Sequence, residues 1–338
     1  MEKKVSLKDI AKMVGVSPSL VSMVLNGKTK QYRIGEEVAK RVVETAKEMN
    51  YAPNLVAKTL RSGKTQLVGL IVTDISNPFY SAIARIVEDR ASASNYTVLI
   101  SSTDENLANT ERLVDVLLNK GVEGLIVVPC DGSMNLMQRL YESGFPTVLL
   151  DRYFPSIGLN SSCLNNYRAT EMATAHLLEH GYKNIALIAY NTEMQHIVDR
   201  ISGYEDTMRK AGLSSSIHVR KVNILHPKPD IREALEELIH EDRVDAVIFL
   251  TNMLATNGLY CLNEMNVKIP EDIGVVGFNG NDAFNLFYSP VTYVKQPIEQ
   301  IAKEAIDILI KRIKTPRYIS KLFLEPELVI QQSSRRQH

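Results

Sequence analysis

Apolar positions follow two rhythms along this 338-residue chain. Up to about residue 50 they recur at helical spacing: Leu7, Ile10, Ala11 and Val14, then Val21, Val24 and Leu25, then Val38, Ala39, Val42, Val43 and Ala46. Each run has its own start and stop signals. Ser6 with Asp9 three residues on makes a capping-box pattern. Gly15 supplies a left-handed turn residue. Ser17 followed by Pro18 suits a helix start, and Asn26-Gly27 a helix stop. Two short helices about a glycine, with Ala11, Val16 and Val21 inward, predict a helix-turn-helix, and a third helix follows over Glu36–Met49.

From Gln66 onward the rhythm changes. The runs LVGLIV, YTVLIS, EGLIVVP, TVLLD, NIALIA, DAVIFL and IGVVGF read as buried strands. Amphipathic stretches such as PFYSAIARIVEDRASAS and NLANTERLVDVLLNK separate most of them. Alternation of this kind predicts parallel sheets with helices on both faces, and there are enough units for two α/β lobes behind the all-α N-terminal part. Ligands in such folds bind beyond the carboxyl ends of the strands. That rule selects Asp74–Tyr80, Asp151–Tyr153, Tyr190–Asn191, Asn252 and Asn279–Asp282. The set is rich in amides, carboxylates and aromatic rings, which suits paired hydroxyls and the C–H faces of a carbohydrate.

Composition narrows the class. Hydrophobic residues make up 45% and charged residues 23%, as globular domains with real cores require. The cysteines Cys130, Cys163 and Cys261 form no CxxC pair, which argues against a disulfide framework or zinc site and for a reducing cytoplasm. The start, MEKKVSLKDIAK, lacks a signal-peptide apolar region, and no apolar run approaches the ~20 residues of a membrane span. Net charge is zero overall, yet residues 1–64 hold 13 Lys and Arg against six Asp and Glu, leaving 26 against 33 for the rest. A basic segment joined to an acidic body suggests a nucleic-acid module.

In a helix-turn-helix the start of the second helix enters the major groove. The exposed positions there are Pro18, Ser19, Ser22 and Met23; Ser19 can reach a base edge, and Pro18 and Met23 can make apolar contacts. Ser6, Ser17, Ser22, Asn26, Lys28 and Lys30 are placed for phosphates, although each serine could equally be an ordinary cap or a solvated surface group. Beyond Pro53, Asn54 can cap the short helix LVAKTLRS, apolar at Leu55, Val56 and Leu60 and basic at Lys58, Arg61 and Lys64. It is too short to stand alone in water and suits a minor-groove wedge that folds on DNA.

The order LKDIAKMVGVSPSLVSMVLNG, NYAPNLVAKTLRSGKT, VGLIVTDISNPFY resembles the lactose-repressor/galactose-repressor family of bacterial regulators. The resemblance implies a helix-turn-helix domain over 1–52, a hinge helix and linker over 53–65, and an effector-binding and dimerisation domain of two periplasmic-binding-protein-like lobes over 66–333. It implies DNA contacts through Ser6, Ser17, Pro18, Ser19, Ser22, Met23, Asn26, Tyr51, Asn54, Ala57, Lys58 and Leu60, with Leu60 inserted at the operator centre. It implies effector contacts through Phe79, Tyr80, Asp151, Arg200, Asn252 and Asn279. The implied partners are a pseudo-palindromic DNA duplex, a small effector of carbohydrate type and a second copy of the chain. Four departures stand out. Met23 replaces a usual Arg, Met253 follows Asn252 where the family has Asp, Asn279 replaces a usual Asp, and the loop Lys28–Gly35 is longer than usual. The chain stops at QQSSRRQH where the family's tetramers carry a leucine-rich tail, so a homodimer is expected.

Other chemistries fit less well. LVGLIVTDISNPF holds no GxGxxG, and Ser62–Thr65 resembles a P-loop tail that lacks its first Gly and precedes the strand. His176 and His180 share a helix face but no third ligand is suggested, so a solvated face is expected and no metal. No Ser/His/Asp spacing or carboxylate pair argues for an enzyme, and no cofactor is implied. A free-standing sugar-binding protein would share the two-lobed body but would need a signal peptide.

Overall fold

The computed structural model describes residues 5–51, 64–224, 227–280 and 282–336. The chain divides into two compact units, Met1–Thr65 and Gln66–His338.

The first unit holds α1 (Leu7–Val14), α2 (Pro18–Leu25) and α3 (Glu36–Glu48). The capping box forms as the spacing requires: the Asp9 amide donates to Ser6 Oγ at 3.4 Å, and the Ser6 amide donates to Asp9 Oδ2 at 2.8 Å. Gly15 adopts φ +75° and turns the chain toward Ser17, whose Oγ accepts the Leu20 amide at 3.2 Å. Ile10, Ala11, Val14, Val21, Val24, Val42 and Ala46 form the core. Truncating a fully buried member such as Ile10 to Ala removes transfer energy and leaves a cavity, about 2–5 kcal/mol together. Val43 does not join the core as the apolar stripe suggests; it is exposed, because three short helices enclose only a narrow face of α3.

The second unit is two α/β lobes. Its elements are β1 (Leu67–Val72), α4 (Pro78–Ala93), β2 (Thr97–Ser102), α5 (Leu107–Asn119), β3 (Leu125–Val127), α6 (Met134–Glu142), β4 (Thr147–Leu150), β5 (Asn160–Leu164), α7 (Asn166–Glu179), β6 (Ile185–Tyr190), α8 (Gln195–Lys210), β7 (His218–Val222), α9 (Pro227–His240), β8 (Ala246–Phe249), α10 (Asn252–Glu264), β9 (Gly274–Phe278), α11 (Asp282–Leu286), β10 (Thr292–Lys295), α12 (Ile298–Lys314), β11 (Lys321–Leu324) and β12 (Glu327–Val329). One sheet has the order β11-β5-β4-β3-β1-β2 and the other β12-β10-β9-β8-β6-β7. The first is parallel throughout; the second is parallel except for β12, which runs antiparallel to β10. The parallel sheets expected from the sequence are thus present, with one antiparallel strand added at the edge of the second.

Alternation along the strands sorts side chains to the two faces of the first sheet. Val68, Leu70 and Val72 pack with α4 and α12, while Ile71, Leu125 and Val127 pack with α5 and α6. The chain crosses between lobes three times, from β5 to α7, from β10 to α12, and from β11 to β12. Helices α7 and α8 approach closely because residue 203 is Gly: a Cβ there would lie 2.2 Å from the Tyr167 carbonyl oxygen. Across this contact Thr170 Oγ1 donates to the Arg200 carbonyl at 2.6 Å, fixing where Arg200 starts.

Two further expectations change. YTVLIS is not a buried strand; β2 lies at the sheet edge with its residues half-buried or exposed. His176 is not on a solvated face. It is 4% exposed, stacks on His180 at 4.2 Å, and its Nε2 lies 2.7 Å from Ser334 Oγ, because the last described residues fold back over α7. Among the described residues no helix is long and apolar enough to cross a membrane.

Candidate functional site

The carboxyl ends of strands from both sheets meet at one cavity of about 330 Å³. After β1 come Thr73, Asp74, Asn77, Phe79 and Tyr80; after β4, Asp151 and Arg152; from β6 and α8, Tyr190, His196 and Arg200; after β8 and β9, Thr251, Asn252, Met253 and Asn279; after β10, Gln296. Phe79, Tyr80, Asp151, Arg200, Asn252 and Asn279, singled out from sequence, all line it. A groove of about 860 Å³ runs along the lobe crossings, but its cations Arg90, Lys295 and Lys303 already pair with Asp307, Glu327 and Glu299. The smaller cavity is the one at the strand ends, where α/β folds bind ligands.

Opposed charges hold the cavity walls. Tyr80 donates its hydroxyl to Asp151 Oδ2 at 3.0 Å. Arg152 makes a two-pronged pair with Glu105 at 2.9 and 2.5 Å and also donates to the Pro129 carbonyl. Arg200 donates to Asn166 Oδ1 at 2.8 Å and to the Leu250 carbonyl at 2.6 Å, with its guanidinium 4.5 Å above the Phe278 ring. Asn77 caps α4 and accepts from Asn252 Nδ2 at 3.0 Å, so one amide serves a helix end and a contact between lobes.

Burial governs the protonation states. It raises the Asp151 carboxyl against the pull of Arg152 and Arg200, and it raises Tyr80 strongly. It drops His196 well below the ordinary histidine value, with Arg152 and Arg200 adding to the effect, so the ring is neutral. Arg200 is pushed down to about 10 and stays charged near neutrality.

Among the described residues, four buried polar atoms of cavity residues have no hydrogen-bond partner: Arg152 Nε, His196 Nδ1, Asn279 Oδ1 and Gln296 Oε1. Native interiors rarely leave such groups unsatisfied. Glu105, Asp151 and Asn279 also sit at positive φ, at +55°, +64° and +52°. Backbone strain of this kind collects at binding sites. The arrangement offers donors, acceptors and ring faces to a polar ligand. Among the described residues no group of three or more His, Cys, Asp and Glu side chains could hold a metal.

Sequence reasoning missed Thr73, Glu105, His196, Thr251 and Gln296 as cavity residues; Asn77 and Arg152 lay inside the strand-end windows without being singled out. Glu105 carried no signal, because its partner is 47 residues away in the chain.

In the first unit, Pro18 and Ser19 are exposed at the start of α2, and Ser22 and Met23 are half-buried. Several candidate side chains have structural work of their own. Ser6 Oγ lies in the capping box, and the Asn26 amide folds back to the Ser22 carbonyl at 2.6 Å. Tyr51 packs against the headpiece core. Asn54, Ala57, Lys58 and Leu60 lie outside the described residues.

Comparison with known proteins agrees with this architecture. Residues 6–54 match the family described as bacterial regulatory proteins, lacI family, and residues 174–334 match a periplasmic binding protein-like domain. The ribose operon repressor of Halalkalibacterium halodurans is 30% identical over 333 residues, covering 98% of this chain and 97% of that protein. The HTH-type transcriptional repressor PurR of Photobacterium profundum is 28% identical over 331 residues, covering 97% and 98%. The solved structure of the lac repressor dimer bound to operator and the anti-inducer ONPF shares the fold with a TM-score of 0.87, at 21% identity over 99% of this chain and 100% of that one. A helix-turn-helix unit ahead of two binding-protein lobes, matched end to end by such relatives, places the chain in the lacI family of DNA-binding bacterial regulatory proteins.

Proposed function

We propose that this protein is a cytoplasmic repressor that binds a pseudo-palindromic operator as a homodimer, and that a sugar or sugar derivative held between its lobes sets its grip on DNA. The observation that carries the effector half is the convergence of Arg152 Nε, His196 Nδ1, Asn279 Oδ1 and Gln296 Oε1, none of them hydrogen-bonded among the described residues, with the rings of Phe79 and Tyr80 on one cavity. A polyhydroxylated ring supplies both donors and acceptors to such atoms and apolar C–H faces to the rings. Phe79, Tyr80, Asp151, Arg200, Asn252 and Asn279 are the contacts we assign to it. Arg200 also ties α8 to β8 through Leu250, so a ligand reaching it acts on the lobe as a whole.

The operator half rests on α2, with Ser19, Pro18 and Met23 as base-reading positions and Ser17 and Ser22 toward phosphates. A single helix-turn-helix covers about one half-site, which makes a dimer the natural reader. The relatives named above are repressors, one of them solved as a dimer on its operator. The protein acts in this reading by binding and not by turnover. Asn279 and Met253 leave the cavity with fewer carboxylates than the family pattern and bias its choice of effector.

The test is a thermal-shift screen of pentoses, hexoses and disaccharides, followed by fluorescence anisotropy on a duplex selected from a random pool. A sugar that raises the melting temperature should also change the duplex affinity, by coupling of roughly 1–3 kcal/mol. Arg200→Ala should lose that response and keep DNA binding. A response that survives in Arg200→Ala would contradict the site assignment.

A further inference from the structure

We infer that Glu105 is a charge filter for the effector cavity: by holding both terminal nitrogens of Arg152 it admits uncharged sugars and turns away phosphorylated and acidic ones. The inference rests on the effector reading above and names the class of sugar within it.

Two guanidinium groups reach the cavity, Arg152 and Arg200. Among the described residues they are its only cations, because burial keeps His196 neutral. Both are already engaged. Arg152 donates from Nη1 to Glu105 Oε2 at 2.9 Å and from Nη2 to Glu105 Oε1 at 2.5 Å, and Nη1 also reaches the Pro129 carbonyl at 3.2 Å. Paired bonds of this kind are among the strongest a guanidinium makes, and an incoming anion would have to displace them. Arg200 commits Nε to Asn166 Oδ1 and Nη1 to the Leu250 carbonyl, with its face over the Phe278 ring. Opposite these two cations the cavity carries three carboxyl groups, on Asp74, Glu105 and Asp151.

Glu105 is held in this position against two opposing costs. Asp104 and Glu105 both adopt left-handed backbone, at φ +54° and +55°, which non-glycine residues enter only under strain. The Asp104 amide donates to the Thr73 carbonyl at 2.7 Å, which fastens the turn after β2 to the end of β1. The side chains of Arg152 and Glu105 are 11% and 19% exposed. A pair so buried adds little net stability, since taking its charges out of water offsets their attraction. Strain and desolvation gathered on one carboxylate are accounted for by what that carboxylate does to the cavity's charge.

What the cavity still offers is uncharged chemistry. Among the described residues, Asn279 Oδ1 and Gln296 Oε1 are left to accept, Arg152 Nε to donate one N–H, and His196 Nδ1 to do either according to its tautomer. The two amide oxygens need donors. A sugar hydroxyl supplies one, whereas a phosphate dianion has acceptors alone. Its charge would also lie beside Asp74, Glu105 and Asp151. Like charges set together in this way weaken binding by about 100-fold or more.

The experiment is titration calorimetry on the full chain. The probes are glucose, galactose, ribose and trehalose, each beside its phosphate ester, with glucuronate and galacturonate. Wild type should bind at least one neutral sugar, and its charged counterparts about 100-fold or more weakly. Glu105→Gln, which keeps the shape and removes the charge, should narrow that gap by roughly tenfold or more through gained affinity for the charged sugar. Glu105→Asp, which keeps the charge, should keep the preference. A wild-type chain that binds a phosphate ester or uronate as tightly as the neutral sugar overturns the inference and leaves the sugar reading in place. So does a folded Glu105→Gln chain with the wild-type ratio, and so does loss of the preference in Glu105→Asp. If Glu105→Gln is too unstable to assay, the wild-type ratio and Glu105→Asp decide. A wild-type chain that binds no probe, neutral or charged, contradicts the effector reading and the inference with it.

Discussion

Tyr153, beside β4 of one lobe, donates its hydroxyl at 2.9 Å to Asp199 on α8 of the other. Gln195 holds the second oxygen of the same carboxylate at 2.7 Å, so the acceptor is oriented before the lobes meet. Thr192 repeats the arrangement in mirror order, donating to Asp131 at 2.7 Å. Met194, between them, is buried among side chains of the opposite lobe's core. These contacts join the two lobes and favour the closed arrangement.

Tyr153→Phe combined with Thr192→Val should therefore shift the lobes toward opening. Each hydrogen bond contributes about 1 kcal/mol net, so the pair changes the closed-to-open ratio by roughly tenfold or more. Small-angle scattering of the sugar-free protein should show a larger radius of gyration than wild type. An unchanged scattering curve would remove these contacts from the account of closure.

Gly203→Ala tests how Arg200 is placed. The added methyl would meet the Tyr167 carbonyl at 2.2 Å, and backbone cannot swing aside as a side chain can. Helix α8 must shift, at a cost of about 1–3 kcal/mol or more. The expected signature is a lowered urea midpoint together with weakened effector binding, while duplex affinity without effector is kept. A variant as stable as wild type would mean that α7 and α8 tolerate separation.

His176 gives a pH test. Burial, with His180 and Arg335 adding, lowers its pKa from 6.5 to about 4. The unfolded chain then takes up a proton that the folded chain refuses. Its contribution to stability is complete above about pH 6.5 and is lost as pH falls toward 4. Between pH 7 and pH 5 this amounts to about 2 kcal/mol. Urea denaturation at both values should show that loss in wild type and a smaller one in His176→Gln, whose amide can still bond Ser334. Equal losses in the two proteins would show that other groups set the acid sensitivity.

Leu60→Gly addresses the wedge, at a position outside the described residues. Specific affinity for a selected duplex should fall toward the nonspecific level, with the dimer intact by sedimentation. Undiminished affinity would eliminate a role for Leu60 in the minor groove.

Much of this was legible in the sequence, for physical reasons that vary by element. The three headpiece helices announce themselves because their caps are local: Ser6 with Asp9, Ser17 with Pro18 and Gly15 act within one turn. Central strands are equally plain, since burial on both faces makes them continuously apolar. Strand β5 was missed because its Asn160, Ser161 and Ser162 are polar yet buried. Ser162 Oγ donates to the Ile301 carbonyl at 2.9 Å and Asn160 Oδ1 accepts from Ser320 at 2.6 Å, partners some 140 and 160 residues away. Strands β7 (HVRKV) and β11 (KLFL) are short edge strands of four or five residues, with little periodicity to detect. The strand-end rule selected five of the six residues proposed for the effector, all but Arg200, which only the family resemblance supplied; it did not select Glu105, whose place depends on a guanidinium from another strand end.

The peptide bridges between the lobes have a mechanical meaning. Those near 164 and 324 leave adjacent strands of one sheet; of the two adjacent strands of the other, one is left near 295 and the next entered near 327. Gathered along one edge, they act as three pins of a single pivot. Sliding or torsion would stretch at least one pin, whereas swinging strains none. Ligand binding is thereby channelled into one coordinate of motion, and a protease cut at one pin would leave the other two holding the swing.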